Sequence, residues 1–346
     1  MNIRPFRPDL GMDEEAAVLE ALRRGELAVG PDIEAFEHEL ATYVGVDASA
    51  AVSSGFASLH LALLALGVRE GDEVIVPCVS TCAAIRDATH AARAVPVFAD
   101  TNRDDFNLAP DDVRAKITPR TRAIIAPHHI GVVSRMEELN ALGVPVIEDC
   151  AQAIGAKQNG EMVGSLSQLS VFSFYATKLL TTVDGGAVAS RNVAIVERVR
   201  DIRYYAGKWD SAPRFNYKMQ NLGAALGRVQ LRNLDHAIAR RRAIGDAYLR
   251  ALPDATMAVN RDRESVVYRF AFRVAASKQT AIREALEREG VPARGEVAFL
   301  TADRAAFPAA DQLSKEVLTL PTYPAMTETE VEHASAALAR VLHSCA

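Results

Sequence analysis

The chain has 346 residues, a formal net charge of −5, 49% hydrophobic residues and 24% charged residues. These values are typical of a soluble globular protein that is long enough for two domains. The acidic balance argues against a nucleic-acid partner or an anionic membrane surface. No apolar run reaches the roughly 18 residues that a membrane span needs. We therefore expect a cytoplasmic protein.

Four cysteines, Cys78, Cys82, Cys150 and Cys345, are too few and too scattered for a disulfide framework. The spacing of Cys78 and Cys82 is found in zinc sites, but no second pair of Cys or His residues completes such a site. The sequence therefore predicts no metal centre.

Two helices and a glycine turn open the chain. Residues 13–24 have helical spacing, and Gly30-Pro31 starts a second helix. Ser54 and Gly55 then lead into a helix rich in Ala and Leu. A helix N-terminus entered through glycine offers free N–H groups and the positive end of the helix dipole, which suits a phosphate. An ordinary serine N-cap is the alternative.

Strand-like and helix-like segments then alternate along the chain. The strand-like segments are 73–77, 95–98, 122–126 and 144–147, and the helix-like segments are 80–92, 110–116 and 134–141. Short strands that alternate with helices predict an α/β domain with a largely parallel sheet and helices on both faces. Ligands of such sheets bind beyond the carboxyl ends of the strands.

Two side chains follow predicted strands at such positions. Asp149 ends the segment 144–148, and it is either a helix N-cap or a ligand for a cation. Lys178 follows the apolar run 169–174. A partly desolvated lysine has a neutral amine that can form a Schiff base, although a lysine whose stem merely covers apolar surface is the alternative. Together the two side chains suit a pyridine ring, whose nitrogen the carboxylate keeps protonated while the lysine forms an imine.

Short motifs recur in a fixed order from about residue 25 to about residue 325. They are Gly30-Pro31 with Phe36-Glu37, Ser54-Gly55, 71–77 (GDEVIVP), 117–121 (ITPRT), 148–153 (EDCAQA), Phe172-Ser173-Phe174 with Lys178, 184–186 (DGG), 216–219 (NYKM) and Leu320-Pro321. In this order they resemble the DegT/StrS group of sugar aminotransferases, which are fold-type I enzymes dependent on pyridoxal 5'-phosphate (PLP). The resemblance implies a large PLP-binding α/β domain over 1–240, with a mostly parallel sheet flanked by helices, and a smaller α+β domain over 241–346.

The resemblance also implies roles for individual residues. Lys178 is expected to form the Schiff base and to move a proton between substrate and cofactor. Asp149 is expected at the ring nitrogen and Gln152 at the phenolic oxygen of the cofactor. The phosphate-binding set comprises Gly55, the backbone N–H groups of Phe56 and Ala57, the Ser173 hydroxyl and Asn216 of the partner subunit. A homodimer with a shared active site is therefore expected.

Three positions depart from the pattern of the family. Phe56 stands where a threonine usually adds a bond to the phosphate, and Ser58 is the residue that can compensate one turn on. Thr81 stands where an aromatic ring usually stacks on the cofactor. Phe299 ends a stretch that often carries a tyrosine near the sugar nucleotide. The cofactor site is therefore predicted more firmly than the substrate site.

Two further features leave alternatives open. His128 falls where many members carry a histidine beside the active site, which makes it a candidate catalytic residue. With His129 next to it, a pair of satisfied loop histidines is the alternative. Arg294 either meets a carboxylate or phosphate of the substrate or lies on the surface.

The predicted function is PLP-dependent transfer of an amino group from L-glutamate or L-glutamine to a keto sugar, most often nucleotide-linked, in amino-sugar or natural-product biosynthesis. A cyclitol or another ketone as acceptor, a PLP lyase and a non-catalytic PLP-binding regulator are the alternatives. The lyases of this family replace the residue that corresponds to Lys178. A regulator has no need of Asp149, Gln152, Lys178 and Asn216 together, so the sequence favours an aminotransferase.

Overall fold

A computed structural model of the protein describes residues 1–254, 257–259, 264–295 and 297–345. The α-helices of these residues are α1 (Met12–Arg24), α2 (Pro31–Val44), α3 (Gly55–Ala65), α4 (Ala84–Ala91), α5 (Pro110–Ala115), α6 (Met136–Asn140), α7 (Val193–Ile202), α8 (Asn221–Arg232), α9 (Leu234–Ala251), α10 (Gln279–Arg288), α11 (Pro308–Glu316) and α12 (Glu328–Ser344). The strands are β1 (Ala48–Val52), β2 (Glu73–Pro77), β3 (Val79–Ser80), β4 (Val95–Ala99), β5 (Thr121–Pro127), β6 (Val146–Asp149), β7 (Lys157–Gln158), β8 (Glu161–Met162), β9 (Leu169–Ser173), β10 (Gly186–Ser190), β11 (Phe270–Arg273), β12 (Ala298–Phe299) and β13 (Val317–Leu320).

A seven-stranded sheet with the order β1-β10-β9-β6-β5-β2-β4 forms the centre of the fold. Strands β9, β6, β5, β2 and β4 are parallel to one another, while β10 is antiparallel to both of its neighbours, β1 and β9. The predicted α/β class with a largely parallel sheet is thus confirmed. Sequence reasoning missed β1 and β10, because these strands consist mostly of alanine, serine and glycine rather than bulky apolar residues.

Helices cover both faces of this sheet, which explains why the central residues of its strands are mostly apolar on both faces. On β2, Val74 and Val76 belong to the core beneath α3 and α4, whereas Ile75 belongs to the core beneath α5 and α6. Successive side chains of a strand point to opposite faces, so a strand covered on both sides has no polar face. Burial of each such side chain contributes about 1.5–3 kcal/mol, and the strands therefore form a rigid frame.

A second core lies in the carboxyl-terminal part of the chain. It is built by α9, α10, α12 and the antiparallel pair β11 and β13, with Tyr248, Phe272 and Leu338 fully buried. The sequence predicts one helix over 278–289 and another over 327–343, and these correspond to α10 and α12. Residue 240 lies inside α9, and this helix contributes Ile238 to the core beside the large sheet and Ile244 to the second core. The division into 1–240 and 241–346 stays a prediction.

Several strands of the large sheet end at one edge. The chain leaves β1, β2, β5, β6 and β9 toward that edge, and the register places Asp149 of β6 opposite Pro127 of β5 and Val171 of β9. The residues that follow these strand ends are therefore neighbours in space. Among the described residues, no helix is long and apolar enough to cross a membrane.

Candidate active site

A cleft of about 450 Å³ opens at the carboxyl edge of the large sheet. Its walls contain the predicted site residues Gly55, Phe56, His128, Asp149, Gln152, Ser173 and Lys178. Ala57 is buried directly behind this wall. Asn216 is exposed and lies outside the lining of the cleft, with its Oδ1 accepting a hydrogen bond from Lys218 Nζ at 3.1 Å. The sheet thus gathers residues that span more than a hundred positions of sequence.

The turn at Ser54 and Gly55 packs tightly against the ends of β9 and β10. A Cβ added to Gly55 would lie 2.7 Å from Ser173 Cβ, and one added to Gly186 would lie 2.5 Å from the Ser54 carbonyl oxygen. Glycine at both positions therefore brings the turn against Ser173. Gly55 and Phe56 are the first residues of α3, where N–H groups lack intrahelical partners.

The N-cap alternative for Ser54 is also realised. Its Oγ accepts the N–H of Ala57 at 3.1 Å, so this N–H already has a partner within the protein. The compensation expected of Ser58 is wrong, because its hydroxyl is fully buried and donates to the Gly55 carbonyl oxygen at 2.6 Å. The N–H groups of Gly55 and Phe56 and the Ser173 hydroxyl are the remaining hydrogen-bond donors of the predicted phosphate-binding set at this turn.

Asp149 is a buried carboxylate at the end of β6. Its Oδ1 accepts the N–H of Ala151 at 3.0 Å, and within the described residues no lysine or arginine forms a salt bridge with it. Burial raises the pKa of Asp149, although the Ala151 hydrogen bond and the nearby Lys178 act in the opposite direction. A cation held against this carboxylate would offset the cost of its burial.

The amide of Gln152 is held in one orientation. Its Oε1 accepts the N–H of Ile130 at 2.8 Å, and its Nε2 donates to Thr81 Oγ1 at 2.9 Å. Because a backbone N–H faces Oε1, the assignment of oxygen and nitrogen is unambiguous. The second hydrogen of Nε2 is left for an acceptor in the cleft. Thr81, which replaces the expected aromatic ring, thus positions Gln152.

His128 is bonded at both ring nitrogens. Its Nδ1 accepts the N–H of Ser134 at 2.9 Å, so the ring proton lies on Nε2, which is 3.0 Å from Glu148 Oε1. Glu148 is fully buried and accepts two backbone N–H groups as well. Cys150 Sγ completes a group whose polar atoms lie within 4.8 Å of one another. A catalytic role for His128 stays a prediction, and these bonds favour the alternative of a satisfied histidine.

His129 differs from its neighbour. It is 1% exposed and lines the cleft, yet neither of its ring nitrogens has a hydrogen-bond partner among the described residues. Sequence reasoning weighed the two histidines as a pair, whereas the structure separates a bonded ring from an unbonded one. No sequence signal distinguishes them, because the difference depends on which loop atoms face each ring.

Lys178 is half-buried between apolar neighbours. Phe174, Leu179 and Leu180 are buried, as the desolvation argument required. Its Nζ lies 5.6 Å from the ring centroid of Tyr268, within the range of a cation–π interaction. The Tyr268 carbonyl oxygen accepts a hydrogen bond from Arg241 at 3.1 Å. Burial lowers the pKa of Arg241 to about 10.

Tyr268 was missed from the sequence because it lies ninety residues beyond Lys178. The sequence of 266–274 (VVYRFAFRV) is typical of a strand, and the aromatic residue within it was the only available signal. Arg294 also lines the cleft, as one of its two predicted placements required. Phe299 does not belong to the lining; it pairs with Val79 in the short β12–β3 sheet, and Arg304 lies 4.4 Å from its ring centroid.

Comparison with known proteins decides the family. A model of the DegT/DnrJ/EryC1/StrS aminotransferase family matches residues 8–339. The chain belongs to this family. It is therefore an aminotransferase that depends on PLP, as the resemblance predicted.

Individual relatives cover nearly the whole aminotransferase. A GDP-perosamine synthase of Vibrio cholerae is 31% identical over an alignment of 351 positions, which covers 94% of this chain and 95% of the relative. The aminotransferase TlmJ from Streptoalloteichus hindustanus is 31% identical, with a TM-score of 0.91 and coverage of 99% of both chains. Spr1654 from Streptococcus pneumoniae in its PLP form is 24% identical, covers 100% of both chains and has a TM-score of 0.93, which shows the shared fold.

The donor set of the cleft fits PLP. The cleft offers one amine at Lys178, one buried carboxylate at Asp149 that lacks a cation, and one amide hydrogen at Gln152. A glycine turn at a helix N-terminus supplies backbone donors suited to a phosphate. A lysine, a ring-nitrogen partner and a phosphate cup are the three contacts that the cofactor requires.

Proposed function

We propose that this aminotransferase transfers an amino group from L-glutamate or L-glutamine to the keto group of a nucleotide-linked sugar. The proposal is supported by the observation that Lys178, Asp149 and Gln152 line one cleft. It is also supported by the GDP-perosamine synthase that matches 94% of the chain. A cyclitol or another ketone as acceptor is the alternative, and the departures at Thr81 and Phe299 keep it open.

The proposed chemistry divides among three side chains. Lys178 would hold the aldehyde carbon of PLP through its amine, and the same amine would move a proton to and from the substrate carbon. Asp149 keeps the ring nitrogen protonated, and Gln152 donates its remaining N–H to the phenolic oxygen. When bound, PLP supplies a ring that withdraws electrons from the carbon that loses the proton and carries the amino group between donor and acceptor.

We also propose a homodimer with a shared phosphate site. Asn216 lies outside the cleft of its own chain. Large apolar side chains are exposed near the cleft and near Asn216, including Tyr175, Tyr205 and Trp209, and Trp209 is 96% exposed. Exposed apolar side chains of this size are often buried in protein interfaces.

Mixing two inactive variants tests the shared site. A heterodimer of one Lys178→Ala chain and one Asn216→Ala chain contains one intact site, in which Lys178 and Asn216 come from different chains. Random mixing should restore about a quarter of the wild-type sites, since half of the dimers are heterodimers with one site of two. If the mixed protein regained no activity, Asn216 would not be part of the active site of the partner subunit.

The donor and the acceptor are tested by spectroscopy. The visible absorption band of the PLP form should decrease when L-glutamate or L-glutamine converts the enzyme to the pyridoxamine form. GDP-perosamine is the product for which the Vibrio cholerae relative is named. It should drive the same conversion if a nucleotide-linked sugar is the acceptor. Conversion by the amino acid but not by GDP-perosamine, with conversion by an amino-cyclitol, would favour the alternative acceptor.

A further inference from the structure

The imidazole of His129 is a buried polar group without a hydrogen-bond partner among the described residues. The residue follows β5 at the carboxyl edge of the sheet, and its backbone N–H is bonded to Asn107 Oδ1 at 2.8 Å. The ring is 1% exposed and lines the cleft, and neither nitrogen has a hydrogen-bond partner in the described part of the chain. Buried polar groups in proteins are nearly always bonded, so an unbonded one that lines a binding cleft is available to a polar group of a ligand.

The surroundings of His129 hold its ring neutral. Burial lowers the pKa of His129 to about 4, and the nearby Lys178 acts in the same direction. A polar contact with the Val79 backbone, which lies outside hydrogen-bond geometry, acts in the opposite direction. A neutral imidazole has one N–H donor and one acceptor nitrogen. This combination is complementary to a hydroxyl group, whereas a carboxylate or phosphate would favour the charged imidazolium.

The functional groups of the cofactor already have partners. Asp149, Gln152 and the turn at Gly55 account for the ring nitrogen, the phenolic oxygen and the phosphate. An amino-acid donor brings carboxylates, which the guanidinium of Arg294 in the same cleft binds better than a neutral imidazole does. The sugar acceptor is the reactant that is rich in hydroxyl groups.

We infer that His129 is a specificity-determining residue that hydrogen-bonds a hydroxyl group of the sugar acceptor. This inference rests on the proposed function. In this role it contacts neither the phosphate nor the ring of the cofactor. The residue therefore discriminates between acceptors and leaves the reaction with the amino donor unchanged.

The test combines His129→Leu, which removes both polar nitrogens, with GDP-perosamine and analogues of it that each lack one sugar hydroxyl. We expect His129→Leu to lower kcat/KM for GDP-perosamine about tenfold, the loss of one hydrogen bond to an uncharged group. With the analogue that lacks the contacted hydroxyl, wild type and variant should react equally. A loss of the same size with every analogue would overturn the hydroxyl contact.

Two measurements on the same variant do not depend on the sugar. The affinity for PLP and the half-reaction with L-glutamate should stay within about twofold of the wild type, because no contact of either is removed. A tenfold loss in one of these would show that His129 serves the cofactor or the donor, and would overturn the inference. Failure of the wild type with GDP-perosamine, in contrast, would exclude that particular nucleotide sugar, which is a result about the proposed function and not about His129. Wild type and His129→Leu are then compared on an amino-cyclitol and on analogues that each lack one of its hydroxyl groups. If the variant loses the same activity on every analogue, the inference is overturned.

Two further measurements distinguish the inferred role of His129 from a purely structural one: the Tm of the variant and the recovery of selectivity in a conservative variant. Replacing an unbonded buried ring with leucine should leave the Tm of the cofactor-free protein unchanged or higher, whereas a structural histidine would give a lower Tm. His129→Gln, which keeps a donor and an acceptor, should recover part of the acceptor selectivity. His60→Leu is the matched control, since His60 is another buried histidine but does not line the cleft. It should not alter acceptor selectivity.

Discussion

The two walls of the cleft are built differently. One wall consists of residues at the ends of β6 and β9 and at the start of α3, which includes Asp149, Ser173 and Gly55. The other consists of loops and of the carboxyl-terminal part, with Thr81, His129 and Tyr268. The sheet wall is fixed by strands that are buried on both faces, so it suits groups that must hold one geometry. The loop wall is free to vary without disturbing the sheet, so it suits the selection of substrates.

The largest effect is expected on the sheet wall at Lys178. Lys178→Ala should lower the rate of transamination by at least about 10⁴-fold, because one side chain serves as both nucleophile and base. Steady-state kinetics with L-glutamate measures this effect. Lys157→Ala, an exposed lysine on β7, should be fully active. An active Lys178→Ala enzyme would show that another group is the base.

Asp149→Asn should lower the transamination rate by about 10²-fold or more, because an amide does not keep the ring nitrogen protonated. The protein should still fold. Asp87→Asn, on the exposed face of α4, is the control and should behave like the wild type. A fully active Asp149→Asn enzyme would remove Asp149 from the site.

The same substitution should separate function from stability. Burial raises the pKa of Asp149, so the folded protein without cofactor is destabilised as the pH rises through that raised value and the carboxyl group ionises. Cofactor-free Asp149→Asn should therefore have a higher Tm than the wild type at pH 7. The difference should vanish below about pH 4, where the carboxyl group is protonated in the folded and unfolded states alike. Thermal unfolding across this pH range measures it.

Gly55→Ala probes the contact between the glycine turn and Ser173. The added Cβ would lie 2.7 Å from Ser173 Cβ, so the turn or the strand end must move. We expect the Kd for PLP to rise about tenfold, which corresponds to about 1.4 kcal/mol. Titration of the visible absorption band measures it. Gly295→Ala, where an added Cβ meets no atom within 4 Å, should bind PLP normally. If both variants bound PLP with equal affinity, the turn at Gly55 would not be part of the phosphate site.

The smallest effect is expected on the loop wall at Tyr268. Tyr268→Leu removes the ring that lies 5.6 Å from Lys178 Nζ, a contact of about 0.5–1 kcal/mol. The rate should therefore fall only two- to fivefold, and Tyr268→Phe, which keeps the ring, should restore it. A loss comparable to that of Asp149→Asn would contradict the division between a chemical wall and a selective wall.

Much of the sheet wall was readable from local sequence. Bulky apolar runs predicted β2, β4, β5, β6 and β9, and the polar residues after them predicted the cleft, because parallel strands bring their carboxyl ends to one edge. The strands β1 and β10 were missed, since their small residues form a strand only through their neighbours in the sheet. The order of motifs identified the family from residues that lie far apart in the chain.

The sequence alone therefore singled out a lysine, a carboxylate and a glycine turn, which the structure brings into one cleft. Only the tertiary structure decided how the side chains are used. It bonded His128 at both nitrogens and left His129 unbonded, joined Thr81 to Gln152 and placed Tyr268 beside Lys178. The physical reason is range. A strand and the residue that follows it are local properties of the chain, whereas a hydrogen bond between two loops depends on where the whole fold puts both partners.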